Sequence, residues 1–263
     1  MTYLHKMSNI HSITYFCAMN SSEIKPYQNE RGSKKEQVAK MFNNIAPKYD
    51  FLNHTLSLGI DIIWRKKAVK ILKKSHPKKV LDIACGTGDF TIANLDSGAE
   101  NIIGLDISEG MINVGIQKIE RKGLSQKINL QVGDSEKIHF DDGTFDGITV
   151  GFGVRNFENL EKGLAEMFRV LAPNGKVIIL EFSKPKKFPV RQLYFFYFKY
   201  ILPKIGRLIS KDKTAYTYLP DSVNAFPDGE KFTDILKKVG FKQTNIVDCS
   251  FGIASIYIGS KLQ

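Results

Sequence analysis

The stretch Val80-Leu-Asp-Ile-Ala-Cys-Gly-Thr-Gly-Asp-Phe90 constrains the fold of this 263-residue chain more than any other. An apolar run passes straight into two glycines one residue apart and then into a helical pattern, so a buried strand turns sharply into a helix. The same alternation recurs along the chain. A helix from Phe90 leads to the strand Asn101–Asp106, and Ser108 is placed to cap a helix through Met111 and Ile116. Strands at Ile128–Val132 and Phe145–Gly151, a helix near Leu160–Leu171, a turn at Ala172–Gly175 and a strand at Lys176–Phe182 continue it. Helical patterns at Lys35–Ile45 and Ile60–Lys73 precede the sheet. A helical insertion from Phe188 to Ser210 and a helix near Gly229–Val239 come before closing strands around Phe241–Asp248 and Ile253–Gly259. Strict alternation of this kind predicts an α/β protein with a doubly wound, mostly parallel sheet. We expect a flexible arm over residues 1–34 and one domain over 35–263, with an insertion at 184–227.

The glycine turn is a poor phosphate cradle. Such cradles offer bare N–H groups and positive potential, whereas Asp82 and Asp89 flank this one and suit a cation. The dinucleotide fingerprint fails because Thr91 stands where the third glycine belongs, and no Lys-Ser/Thr pair follows at the spacing of a P-loop. Asp106 ends the second strand, where a carboxylate accepts two hydrogen bonds from a ribose diol. A nucleoside without phosphates fits these features. S-adenosylmethionine is such a ligand, with an ammonium and a sulfonium for Asp82 or Asp89 and a ribose for Asp106. The backbone of Gly86, Thr87 and Gly88 would approach it closely. Asp134 and Ser135, after the third strand, would meet the adenine, and Gly151 ends the fourth strand beside them.

Charge and composition narrow the partners. A hydrophobic fraction of 43% with 25% charged residues is that of a soluble globular protein, but the net charge of +11 points to an anionic partner or to solvated lysine faces. Three cysteines without a CxxC pair or zinc spacing argue against a disulfide framework and a metal site, and fit a reducing compartment. No apolar run reaches the roughly 18 residues that span a bilayer. Met7 and Met19 leave the true start open.

Four stretches carry a resemblance to a known family. They are Tyr49-Asp-Phe-Leu-Asn53 with Ser57 and Trp64, the glycine turn itself, Gly151-Phe-Gly-Val-Arg-Asn156, and Arg169-Val-Leu with Gly175 and Glu181-Phe-Ser183. From about Val38 onward the chain resembles the ubiquinone/menaquinone biosynthesis C-methyltransferases. Asp61, Ala172 and Asn174 depart from the family's usual histidine, basic residue and glycine, while Ala84 is what the family tends to have. The resemblance implies a class I S-adenosylmethionine-dependent methyltransferase fold with a seven-stranded sheet. It implies C-methylation of the ring of a polyprenylated quinol, with naphthoquinol and benzoquinol acceptors both open, by an enzyme that is cytoplasmic and peripherally associated with the inner face of the membrane. Arg155 and Asn156 are then candidates for stabilising a ring phenolate, and Tyr49 is a third catalytic candidate. Asn53, Phe152 and Tyr218 are candidates for holding the acceptor.

The insertion suits a lipophilic acceptor. From Lys184 to Lys213 nine basic residues face the single acid Asp212, interleaved with Leu193-Tyr-Phe-Phe-Tyr-Phe198. As a helix it sets Leu193, Phe196, Tyr197, Tyr200 and Ile201 on one face, with Phe195, Phe198 and Leu202 opposite, so both sides need cover. A prenyl tail, an anionic bilayer surface or a second subunit would each provide it. The alternative function, a nucleic-acid methyltransferase, lacks the Asp/Asn-Pro-Pro-aromatic run that clamps a base after the fourth strand; GFGVRN stands there instead.

Overall fold

In the computed structural model, which describes residues 24–201 and 214–263, seven strands form one sheet. They are β1 (Lys79–Ile83), β2 (Asn101–Asp106), β3 (Ile128–Val132), β4 (Phe145–Gly151), β5 (Leu171–Phe182), β6 (Lys242–Cys249) and β7 (Ala254–Ser260). The spatial order is β3-β2-β1-β4-β5-β7-β6, with β7 antiparallel to both its neighbours and the remaining pairs parallel. Alternating side chains feed a core on each face. Leu81, Ile83, Ile103 and Leu105 pack with Phe145, Leu164 and Phe232 on one side. Val80, Ile102 and Leu130 pack with Trp64, Leu72 and Phe90 on the other.

Helices cover both faces. α1 (Lys34–Ile45), α2 (Tyr49–Leu56) and α3 (Ile60–Lys73) precede the sheet. α4 (Asp89–Ala93), α5 (Glu109–Arg121) and α6 (Leu160–Val170) cross between strands, and α7 (Val190–Phe196), α8 (Thr214–Ala225) and α9 (Glu230–Val239) follow β5. Local chemistry sets several of their starts. Ser33 and Glu36 form a reciprocal capping box on α1, and Ser108 caps α5 through the N–H of Met111, as its position in the sequence predicts.

Three expectations need correction. The flexible arm expected through residue 34 does not extend over residues 24–34: Ile24 is buried, the Tyr27 N–H donates to Gln37 Oε1, and Lys34 is buried at the head of α1. Residues 1–23 lie outside the described residues. The turn expected at Ala172–Gly175 is a bulge within β5, whose pairing jumps from Phe145–Leu171 to Gly147–Lys176 around Asn174 at φ 64. The insertion is not one helix. A π-helical turn at Tyr197–Ile201 breaks the 3.6-residue period, and in the α-helix before it the buried side chain is Tyr194, which belongs to neither predicted face, while Leu193 and Phe196 are exposed. Leu202, Lys204, Arg207, Lys211, Asp212 and Lys213, and the side chains of Phe198 and Lys199, lie outside the described residues. α8 was unforeseen because Pro220, ordinarily a helix breaker, sits inside it.

Close packing between β2 and its neighbours requires a glycine at Gly104, where a Cβ would lie 2.3 Å from Leu130 Cδ2 and 2.9 Å from Cys85 Sγ. Gly104→Ala should destabilise the protein by about 1–3 kcal/mol, the usual cost of overpacking, read as a lower urea midpoint at unchanged slope.

Candidate active site

β1 pairs with β2 on one side and β4 on the other, so Ile83 lies opposite both Leu105 and Val150 and the three carboxyl ends open side by side. Beyond β1 the backbone turns through positive φ at Ala84, Gly86 and Gly88. The turn is tied to β2 by the Cys85 N–H to Leu105 O at 3.1 Å and the Gly86 N–H to Asp106 Oδ2 at 2.8 Å. Asp106 Oδ1 accepts from the Ser108 N–H at 2.8 Å. Burial raises the Asp106 pKa, against the pull of the Ser108 and Gly86 N–H groups.

Two cavities meet here. The first, about 70 Å³, is walled by Gly86, Asp106, Asp134, Ser135 and Gly151, with Lys35, Val38 and Phe42 of α1 as its cover. Four carboxylates, Asp106, Asp134, Glu136 and Glu158, stand around it against the one lysine Lys35, which pairs with Asp134 at 2.7 Å. A negative pocket with an acid at the tip of β2 repels phosphates and fits a ligand with a diol and positive charge. The donor set therefore suits S-adenosylmethionine.

The negative charge does not come from the acids expected to supply it. Asp82 is fully buried on the inner face of β1, where Thr91 and Thr149 hydroxyls donate to it at 2.6 and 2.7 Å, and it is no part of the cavity wall. Asp89 faces away, paired with Lys118 at 2.8 Å and 3.3 Å from His54 Nε2. Thr87 and Gly88 lie behind the wall too: the Thr87 hydroxyl donates to Asp50, and Gly88 packs on Leu130. Lys35, Glu136 and Glu158 were missed. Lys35 comes from α1, and Glu136 and Glu158 come from the loops after β3 and β4.

The second cavity, about 540 Å³, adjoins the first and shares Phe42, Tyr49, Phe152 and Asn156 with it. Its wall is largely apolar and aromatic. Phe152 lies 4.6 Å from Phe182 and 6.2 Å from Trp64 between ring centroids. Asn53, Arg155 and Tyr218 are also in this wall. Arg155 Nη1 donates to Glu181 Oε1 at 2.8 Å and to Phe152 O, so much of its charge is already committed. Arg155 Nε, Asn156 Oδ1 and the Tyr218 hydroxyl are buried with no hydrogen-bond partner among the described residues. Burial raises the Tyr49 phenol pKa, opposed by Arg155 and Arg65 and by a hydrogen bond with Asn53.

α2 holds Tyr49 and Asn53 over this junction by its outer charges. Asp50 pairs with Lys118 at 2.6 Å, and His54 Nδ1 lies 3.1 Å from Asp61. Burial would raise the Asp61 pKa, but the Ser57 hydroxyl, Arg65 and His54 together hold it below the ordinary value. The departure from histidine at position 61 thus has a local partner set of its own.

The model of the ubiE/COQ5 methyltransferase family matches residues 30–261. The demethylmenaquinone methyltransferase of Bacteroides fragilis is 50% identical over 240 residues, covering 91% of this chain and 98% of that one. A ubiquinone/menaquinone biosynthesis C-methyltransferase of Geotalea daltonii is 46% identical over 230 residues, covering 87% and 97%. The crystal structure of a SAM-dependent methyltransferase from Thermotoga maritima, titled a possible histamine N-methyltransferase, superposes with a TM-score of 0.59 at 17% identity over 84% of this chain and 99% of that one, which speaks to the fold alone.

Asp82 carries a pH signature. Burial raises its pKa from 3.8 to about 7, against the Thr91 and Thr149 hydrogen bonds and the attraction of Arg65, with Asp106 adding to the rise. The folded state keeps a proton that the unfolded chain releases, so this stabilisation is full below about pH 4 and is lost as pH rises towards 7. Asp82→Asn should flatten that part of the Tm–pH curve and hold Tm at or above wild type at pH 8, measured by calorimetric scans.

Proposed function

The chain belongs to the ubiE/COQ5 methyltransferase family, and from that premise we propose that it C-methylates the ring of a polyprenylated quinol, converting demethylmenaquinol to menaquinol, with S-adenosylmethionine as methyl donor. One observation carries the reading: the small acidic pocket opens directly into a large apolar cavity at Tyr49, Phe152 and Asn156. A cationic nucleoside and a greasy aromatic acceptor would meet there. When bound, S-adenosylmethionine supplies the methyl group as an electrophile. Asp106 would hold its ribose, Gly86 and Gly151 would let backbone approach it, and Asp134 and Ser135 would take the adenine edge.

The protein's part is positioning and charge. Phe152, Phe182 and Trp64 offer flat apolar surface to the acceptor ring. A ring hydroxyl that loses its proton makes the neighbouring carbon nucleophilic, and the Arg155 guanidinium in the cavity wall would stabilise the oxygen's charge. Asn156 Oδ1 would accept from the second ring hydroxyl. Tyr49 acts as a donor rather than a base, because burial keeps its phenol protonated. Asn53 orients Tyr49, and Tyr218 closes the far wall. The nucleic-acid alternative draws no support from the relatives or from a cavity of this character.

The cavity mouth supports an encounter at a lipid surface. Leu58, Phe251 and Leu193 line the cavity yet are 85%, 80% and 65% exposed, with Phe51, Ile63 and Phe188 exposed as well. Exposed Lys66, Lys67, Lys186, Lys187 and Arg191 belong to the same α3, β5–α7 and α7 segments. No helix among the described residues is long and apolar enough to cross a membrane. A peripheral site on the inner face of the membrane, where a prenyl tail is anchored, accounts for this rim.

Purified enzyme with S-adenosylmethionine and a chemically reduced, short-tailed demethylnaphthoquinol should yield the ring-methylated product by mass spectrometry; unchanged quinol would overturn the assignment. Asp106→Ala should weaken S-adenosylmethionine binding by about 1.5–3 kcal/mol in calorimetry. Arg155→Ala should lower kcat at least about a hundredfold with that affinity intact.

Liposome co-sedimentation should rise with anionic lipid and fall with salt. Neutralising Lys186, Lys187 and Arg191 together should weaken it without affecting turnover of the short-tailed quinol. Indifference to every lipid composition, with a dimer in solution, would assign the rim to a subunit interface.

A further inference from the structure

Lys34 is the first residue of α1 and is 1% exposed, whereas lysine is almost never fully buried unless paired. Its ammonium does not reach either cavity wall. It donates instead to two backbone carbonyls, Arg155 O at 3.1 Å and Phe157 O at 3.0 Å, while its own N–H donates to Glu158 Oε1 at 2.9 Å. The segment it grips contains the single 3₁₀ turn Val154–Asn156 that delivers Arg155 and Asn156 to the acceptor cavity. Other carboxylates hold the same segment. Glu181 takes the Arg155 guanidinium, and Glu136 Oε1 accepts from the N–H groups of Glu158 and Asn159 at 3.0 and 2.9 Å.

We propose that Lys34 is a positioning residue for the reaction: its ammonium pins the Arg155 and Phe157 carbonyls and so sets how the Arg155 and Asn156 side chains stand in the wall of the acceptor cavity. The inference rests on the function proposed for those two groups. Holding a cation here is costly. Burial, and then repulsion from Arg155, lower the Lys34 pKa from 10.5 to about 8 against the attraction of Glu158 and Glu136. An apolar side chain would fill the place without that cost, so the ammonium is best explained by what it holds. The next residue makes the matching contact on the donor side, where Lys35 reaches Asp134 at 2.7 Å. The head of α1 therefore grips the loops after β3 and β4 together.

The test compares Lys34→Met, which keeps the stem and removes the donor, with Lys34→Gln, which keeps a neutral donor. Each is made alone and with Arg155→Ala. Lys34→Met should bind S-adenosylmethionine within about twofold of wild type and keep its Tm, because removing a buried charge offsets the lost hydrogen bonds. Its kcat on the short-tailed quinol should fall about tenfold or more, Lys34→Gln should recover part of that, and in the Arg155→Ala background Lys34→Met should cost several-fold less than it does alone, the remainder reporting Asn156. The Arg155 Nε–H and Asn156 side-chain amide resonances should shift in Lys34→Met. Wild-type kcat in Lys34→Met, a loss that adds in full to that of Arg155→Ala, or unmoved resonances would each overturn the proposal. Should Lys34→Met fail to fold, the same criteria apply to Lys34→Gln. If the wild type does not methylate the quinol at all, the proposed reaction fails, and the resonances alone then decide whether Lys34 pins the turn.

Discussion

The pairing of β1 with β2 on one side and β4 on the other is the constraint from which the site follows. Parallel strands end at the same edge, so the glycine turn, Asp106 and the Gly151–Asn156 segment emerge together at the point where the strand order reverses. The small residues there have a steric reason. A Cβ at Gly151 would lie 2.8 Å from Phe90, and one at Gly153 would lie 2.5 Å from Ala84. Side chains packed against the backbone there leave no space for a Cβ.

Charge is distributed by accessibility. Asp106 is held ready by backbone N–H groups at the pocket wall, while Asp82, the penultimate residue of β1, is enclosed by threonines and ties β1 to α4 and β4. The cover is fastened from its outer side. Lys118 joins Asp50 to Asp89, and Asp61 gathers Ser57, His54 and Arg65, which leaves the inner side of α2 for Tyr49 and Asn53. The partly exposed pairs of Lys118 contribute little stability individually, and their consequence is register. They fix how α2 sits over the junction.

The reading from sequence was most accurate where the signal is local. Alternating hydrophobic runs placed the strands, Ser108 announced α5, and the acid at the tip of β2 was recognisable from its distance to the glycine turn. It was weakest where a side chain has a choice of directions. Asp82 and Asp89 flank the turn in sequence, but one points into the core and the other towards Lys118. Tyr194 is buried in a segment whose helical face suggested other residues: with apolar side chains on both sides, the period alone did not say which side the protein covers. Pro220 masked α8 for the converse reason: a local rule against helix was overridden by packing that buries Tyr218 and Val223.

By itself the sequence determined the α/β alternation, the glycine turn, the acid that ends β2 and the Arg-Asn pair after β4, since each depends on residues within one strand–turn–helix unit. Only the tertiary structure decided which acids face the pocket, that an aromatic cavity opens beside it, and that Lys34, at the edge of what looked like a flexible arm, grips a turn 121 residues away. The physical reason is that periodicity and capping are written in neighbouring side chains. Burial, pairing and pKa are set instead by groups that meet only after the sheet has closed.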